Sequence, residues 1–407
     1  MTSPALTVRT ITAEEHLSFI AAQRSASFLQ TPAWAKVKSE WRAESIGWVS
    51  TAPDHPGTPG QQGQIVGVAL VLYRQLPKIR RFLAYLPEGP VIDWDADDLG
   101  AWLAPMAAHL KAKGAFGIRI GPPVINRRWT AAQVKDGIAD PAVRSLTTLP
   151  PAERSQTGAM VVSELTELGW RPQSVEGGFA AGQPQFNFQI PLTGRTEDEV
   201  LKGMNQLWRR NIKKADKAGV VVTQGAMPGA STSSTTEADL AAFHKLYAHT
   251  AERDHFTPRP LSYFKTMFSA FSASSAFSAL RTEDADPGGR IRLYLAHHEG
   301  DLVASTIWIR VGGHTWYSYG ASSTEKRDVR GSNAIQWQMI RDSIALGADV
   351  YDLRGITDTI DSEDPHVGLI QFKVGTGGEA VEYVGEWDLP LNRVIYKAFD
   401  LYMRRRS

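Results

Sequence analysis

The sequence predicts a mixed α/β (α+β) protein in which one meander–helix–strand unit occurs twice. Three observations carry this expectation. Short apolar runs rich in Val, Ile and aromatics, bounded by Gly or Pro, read as strands. Each half holds an amphipathic stretch just before its last strand. The same order of elements returns at both ends of the 407 residues, a length that accommodates two or three domains.

In the first half the strands are SIGWVST from Ser45, IVGVALVLY from Ile65 and FLAYLPEGPVI from Phe82, with a half-polar linker at 52–64. A helix follows from Asp97 to Lys113, because Leu99, Leu103, Met106 and Leu110 recur every three to four residues. It leads into the strand AFGIRIGPPV from Ala115. In the second half IRLYLAHH from Ile291, LVASTIWIRV from Leu302 and TWYSYGAS from Thr315 form the meander. The helix from Ser332 to Leu346 turns Ile335, Met339, Ile340 and Ile344 inward and stops at Gly347, and VYDLRGI from Val350 closes the unit. In both copies an aromatic strand with Tyr and Gly precedes the helix, and the last strand runs into a Gly turn at Gly121 or Gly355. A meander joined through a helix to a parallel strand is the core of the GNAT acyltransferase fold. Two tandem GNAT-like domains are therefore expected, 1–180 and 181–364. Residues 130–158 read as a surface insertion and Met227–Thr236 as a flexible loop. The tail at 380–390 alternates as a strand, and Leu391–Met403 reads as a helix.

Composition narrows the function. Apolar residues make up 43% and charged ones 21%, enough of each for a packed, water-compatible globule. The longest apolar run, Ile65–Tyr73, is about half of what a membrane-spanning helix needs. The N-terminus lacks the basic start and apolar core of a signal peptide. The expectation is a cytoplasmic protein, membrane-peripheral at most. With no Cys, disulfides, Cys-ligated zinc and a Cys nucleophile are excluded. His297 and His298 face opposite ways on a strand, and His244 with Glu252 lacks ligand spacing, so no metal is expected, and no cofactor. Net charge is +1, against wholesale wrapping in nucleic acid. The balance hides a basic face at 202–217.

WAKVKSEW (34–41), LWRRNIKKADKAGV (207–220), TAERDHFTPRPLSYF (250–264), YDLRGI (351–356) and GLIQFKVGTGGEAVEYVGEWDLPLN (368–392) together resemble the FemABX family, in the family's order. These are tRNA-dependent aminoacyltransferases that attach bridge amino acids to the peptidoglycan stem peptide. The resemblance implies a pair of GNAT-like domains, with the C-terminal segment 365–407 returning to complete the first. No heptad run follows Gly219, so the chain resembles the branch without a coiled-coil arm, FemX-like.

Read as a helix, WAKVKSEW sets Trp34, Lys38 and Trp41 on one face. A lysine between tryptophans either snorkels to water or meets an anion. The resemblance implies that Lys38 contacts the diphosphate of the nucleotide-linked precursor. Lys36 points elsewhere on that helix and is a further substrate-binding candidate. The helix from Thr196 to Ala218, with a Thr196–Glu199 capping box and a Gly219 stop, buries Leu201, Met204, Trp208, Ile212 and Ala215 on one side. Arg209, Arg210, Lys213, Lys214 and Lys217 fall on the other, as a solvated face or as contacts to tRNA phosphates.

Arg259 and Tyr263 lie four apart across a helix start at Pro260. They read either as a cap and a core residue or, by the resemblance, as precursor contacts, the guanidinium suiting phosphate or carboxylate. Tyr317 and Tyr319 alternate with Trp316 and Ser318, so at least one aromatic is core. Tyr319 is the substrate-contacting candidate by the resemblance.

In register with these motifs, the resemblance puts Lys373 of Phe372-Lys373-Val374-Gly375 at the junction of precursor and tRNA acceptor end, as the catalytic residue. A fixed cation there would stabilise the oxyanion formed when an amine attacks an aminoacyl ester. Many members carry an Asp-Pro where this chain has Gly121-Pro122, so no protein base is expected, and Asp352 and Asp254 read as structural. The expected partners are aminoacyl-tRNA, a peptidoglycan precursor (UDP-MurNAc-pentapeptide or lipid II) and, through Arg404, Arg405 and Arg406, the inner membrane leaflet.

Two rivals remain. An acetyl-CoA-dependent GNAT enzyme would need a Q/R-x-x-G-x-G/A turn, but the chain reads Asp328-Val329-Arg330-Gly331-Ser332-Asn333, and its first-half equivalent, WDADDLG, is acidic. A non-catalytic RNA- or membrane-associated scaffold would keep the basic stripe without needing Lys38, Arg259, Tyr263 and Lys373.

Overall fold

A computed structural model describes residues 6–50, 63–77, 79–173, 182–225, 233–272, 290–364 and 367–404. The chain divides into two compact units, one of 1–127, 153–185 and 382–407, the other of 128–152 and 186–381.

The first unit holds a seven-stranded sheet in the order Leu6–Thr10, Arg42–Ser50, Ile65–Gln75, Phe82–Leu86, Ala115–Ile120, Trp387–Pro390, Arg171–Pro172. The strands are antiparallel except Phe82–Leu86 with Ala115–Ile120, the pair joined through helix Leu99–Ala112. The helix is capped by Asp98, whose carboxylate accepts from the Ala101 amide, and it buries Leu99, Leu103, Met106 and Leu110. Those four are the residues whose spacing marks the helix in the sequence.

The second unit repeats the plan. Strands Val221–Gln224, Ile291–His298, Asp301–Val311, His314–Ser322, Val350–Ile356 and Phe186–Pro191 are hydrogen-bonded in that order. Again a single pair is parallel, His314–Ser322 with Val350–Ile356, crossed by helix Gly331–Ala345. In each unit, then, an antiparallel strand from a distant part of the sequence covers the outer side of the crossover strand. No helix among the described residues is long and apolar enough to cross a membrane.

Several expectations need correcting. Residues 130–158 are not a surface insertion: helix Ala131–Ala139 and the turn at Leu146–Thr148 send Val134 and Leu146 into the second unit's core with Trp129. Likewise Ile370, Val374 and Ala380 pack in that core, so 128–152 and 365–381 group with the second unit rather than with the expected domain 1–180 plus 365–407. The expected single helix at 196–218 is two, Glu197–Gly203 and Gln206–Lys217. Asn205 breaks it, because its side chain caps the second helix through the Trp208 amide while its own amide donates to the Gly375 carbonyl. The helix in WAKVKSEW is only Pro32–Val37, since Lys38 leaves helical geometry four residues before a strand begins at Arg42. Of the expected loop at 227–236, residues 233–236 begin the long helix Ser233–Asp254 and the rest lies outside the described residues. Arg405 and Arg406 also lie outside them.

The C-terminal strand is fastened by charge. Arg119 on Ala115–Ile120 grips Asp388 through two bonds of 2.7 and 2.8 Å, and Tyr396 donates its hydroxyl to the same carboxylate. Asp388 is fully buried. Removing it strands a largely buried guanidinium, so Asp388→Ala is expected to cost about 3 kcal/mol, read as a lowered urea midpoint against an Arg119→Ala/Asp388→Ala double variant that recovers part of the loss.

Candidate active site

The second unit gathers two groups of the residues picked from the sequence. In the first, Pro260 starts helix Leu261–Ser272, with the Tyr263 amide bonded to the Pro260 carbonyl. The exposed Arg259 guanidinium lies 5.5 Å from the centre of the Tyr263 ring, and the hydroxyls of Tyr263 and Tyr319 are 3.2 Å apart. Tyr319 also meets Phe264 edge-on at 5.1 Å and Tyr247 at 6.2 Å. Tyr319 reaches this cluster from strand His314–Ser322, where a bulge opposite Ile307 and Trp308 leaves Ser318 unpaired. Its neighbour Tyr317 is pushed up to about 12, by burial first and then by the Asp254 charge. Tyr247 carries no motif in the sequence, and Phe264 only ends one; the fold brings them here.

The second group surrounds Lys373, which is 3% exposed near the end of helix Val367–Val374. Its ammonium donates to the carbonyls of Gly355 at 2.7 Å and Arg354 at 3.1 Å. Those carbonyls are freed by a break in the ladder: between Asp352, opposite Gln189, and Gly355, opposite Asn187, two residues face one. Arg354 takes a left-handed backbone, φ 63°, to make the turn. Asp352 holds the bulge in place, one oxygen accepting from the Arg354 amide at 2.6 Å, the other from Gln189 at 3.0 Å, with His314 Nε2 3.2 Å away. Burial works to raise the Asp352 carboxyl, but the His314 bond and the Arg354 charge outweigh it and hold it low. Burial pulls Lys373 down to about 7, against the Asp352 charge and helped by Arg354. An ammonium has three N–H donors, and no third partner for Lys373 occurs among the described residues.

Around this lysine the FKVG motif is locked to the basic helix. The Trp208 indole donates to the Phe372 carbonyl at 2.8 Å, and the two rings stand 4.8 Å apart. A Cβ at Gly375 would sit 2.2 Å from Trp208 Cδ1, which explains the glycine. Beyond Trp208, Arg209 is tied to the Lys202 carbonyl. Arg210, Lys213, Lys214 and Lys217 are exposed and have no ion-pair partner among the described residues.

The remaining substrate-binding candidates, Lys38 and Lys36, stand in the first unit, and Asp254 in the second. Lys38 is half-buried with its ammonium 5.4 Å from the centre of the Trp34 ring, while Lys36 is exposed. Asp254 is engaged by Arg253 through both oxygens. One carboxylate went unnoticed in the sequence. Glu386 accepts from the Tyr85 hydroxyl at 2.5 Å and the Gln183 amide at 3.2 Å, is held above the usual range by burial, and lies 3.6 Å from where a Cβ on Gly121 would stand.

The duplicated sheet and these clusters define a tandem GNAT-like acyltransferase fold. A model of the FemAB family matches residues 11–281 and 294–404, and the chain belongs to that family. The lipid II:glycine glycyltransferase of Staphylococcus aureus strain MRSA252 is 24% identical over 447 aligned residues, 96% of this chain and 94% of that protein. The same enzyme from strain USA300 gives equal figures. A crystal structure of FemX superposes with a TM-score of 0.72 at 22% identity, covering 96% of this chain and 99% of that one.

The titration of Lys373 is testable on stability alone. A lysine at about 7 when folded and 10.5 when free penalises folding fully below pH 7, and the penalty fades as pH rises towards 10.5. Wild type should therefore gain stability across that window relative to Lys373→Met, whatever the offset between them, in urea titrations at pH 6, 8 and 10. A parallel pair of curves would contradict it.

Proposed function

We propose that the protein transfers an amino acid from aminoacyl-tRNA to the side-chain amine of the stem peptide on a peptidoglycan precursor, nucleotide- or lipid-linked, at the cytoplasmic side of the membrane. The observation carrying this reading is family membership along nearly the whole chain, in which Lys373 is a caged cation with one N–H left over. In this reading Arg259, Tyr263 and Tyr319 are the second unit's contacts to the precursor, and Lys38 and Lys36 are the substrate-binding residues of the first. Arg210, Lys213, Lys214 and Lys217 take tRNA phosphates, and Arg209 orients their helix.

The acceptor amine attacks the ester carbonyl of the aminoacyl group. A C–N bond forms, the carbonyl oxygen gains negative charge, and the Lys373 ammonium, fixed by two backbone carbonyls, offers it the third N–H. The C–O bond to the ribose then breaks, the ribose oxygen leaves with a proton, and an amide remains. The amine's proton passes to the leaving oxygen or to water. Asp352 is committed to Gln189, His314 and the Arg354 amide, which suits a positioning residue better than a base.

Incubating the full chain with a charged tRNA pool and each acceptor, then weighing the products, tests the reaction. A mass increment of one or more amino acids on the stem peptide is expected, and none with acetyl-CoA. Lys373→Met should lower the transfer rate about 100- to 1000-fold while precursor affinity is kept. Arg210→Glu with Lys214→Glu should weaken tRNA binding and flatten its salt dependence by about 0.9 per lost phosphate contact; unchanged binding would return the stripe to ordinary solvation.

A further inference from the structure

The first unit carries apolar surface that its core does not take up. After strand Trp387–Pro390 the Leu391 and Asn392 amides donate to the Phe116 carbonyl at 2.9 and 2.8 Å, and helix Arg393–Arg404 begins, its Ile395 amide capped by the Asn392 side chain. Tyr396 and Phe399 turn inward on Leu83 and Phe116, with Met403 packed against them. The Phe116 and Phe399 rings meet edge-on at 5.4 Å. A Cβ on Gly117 would stand 2.9 Å from Tyr396 Cδ2, so the glycine lets the helix close on the sheet. That stripe seats the helix. At about 100° per residue a second stripe, Val394, Ala398 and Leu401, lies on the opposite side. Val394 is 80% exposed and Leu401 53%.

The turn between strands Ile65–Gln75 and Phe82–Leu86 joins this surface. At its base Leu76 packs in the same cluster as Tyr396 and Phe399, and the Leu76 amide donates to the Arg81 carbonyl at 2.9 Å. Near its tip Ile79 is 50% exposed. Apolar residues exposed singly are ordinary; gathered around one cluster of the fold, they mark an interaction surface. Arg80 and Arg81 follow Ile79, while Arg393 and Lys397 border the outer stripe of the helix. All four are exposed, and none makes a salt bridge among the described residues. The one acidic residue in 76–81 and 391–404 is Asp400, which is half-buried.

We propose that helix Arg393–Arg404 and the turn at 76–81 dock the protein on an anionic lipid surface. Val394, Leu401 and Ile79 enter the headgroup boundary, and the four cations lie among lipid phosphates. An apolar stripe edged by Arg and Lys on one helix is the pattern of interfacial binding, and each cation near an anionic leaflet strengthens it. The same charges argue against other occupants. A second copy seated on this face would bring like charges together, and a nucleic-acid backbone has no use for the apolar residues that the cations accompany. The docking does not depend on Arg404, Arg405 and Arg406. It is a property of this surface alone; its use, reaching a lipid-linked rather than a nucleotide-linked acceptor, rests on the transfer reading above.

The test is co-sedimentation of the full chain with vesicles of phosphatidylcholine, alone or with about 30% phosphatidylglycerol. Wild type is expected on the anionic vesicles, far less on the neutral ones, and less on either as salt rises. Val394→Ser with Leu401→Ser should weaken binding about tenfold and keep its salt dependence. Arg393→Gln with Lys397→Gln should weaken it about thirtyfold and flatten that dependence. Both double variants should keep the wild-type urea midpoint; should Leu401→Ser lower it, the charge pair decides. If wild type stays off the anionic vesicles, or both double variants bind them as wild type does, the docking assignment is wrong whatever the reaction. A concentration-dependent dimer that Val394→Ser with Leu401→Ser abolishes would hand the face to a second copy. A labelled RNA hairpin that the charge pair releases, with vesicle binding unchanged, would hand it to nucleic acid. Vesicle binding as expected, with no amino acid transferred to any acceptor, would leave the docking standing and overturn the reaction.

Discussion

A primary ammonium buried against two main-chain carbonyls is the constraint around which the second unit is arranged. Lys373 can occupy that position only because strand Val350–Ile356 departs from its ladder at 353–354 and turns the Arg354 and Gly355 carbonyls towards it. The departure in turn needs a left-handed Arg354 and a buried carboxylate, Asp352, to receive its amide. Backbone strain of this kind persists where surrounding structure over-determines it. Here the surroundings are Gln189 and His314 on one side, and on the other the Trp208–Phe372 pair that fixes the helix bearing Lys373.

Much of this could be read from residue order. The two meander–helix–strand units follow from apolar periodicity, and the four residues that define the first crossover helix in the sequence are the four it buries. Arg259 and Tyr263 meet as their spacing suggests, because Pro260 opens the helix between them. Local signals suffice where the structure is local.

Where partners lie far apart in sequence, the sequence is silent or misleading. Val134 and Leu146 sit in a stretch whose Ala, Thr, Pro and charges resemble a solvated insertion, and only the fold shows that a distant core receives them. The helix break at Asn205 is dictated by the Gly375 carbonyl, some 170 residues away. The bulge at 353–354 leaves no periodicity to detect, since strand composition continues through it. Tyr247 and Phe264, buried around Tyr319, have the composition of any core.

The order in which the units become available has a consequence for biogenesis. Residues 382–407, which the first unit needs, are made after all of 128–152 and 186–381. The first unit must wait, with strand Ala115–Ile120 lacking its neighbour Trp387–Pro390 and Arg119 lacking Asp388. Until that last segment docks, the earlier-encoded unit presents an open sheet margin, a natural client for a holding chaperone.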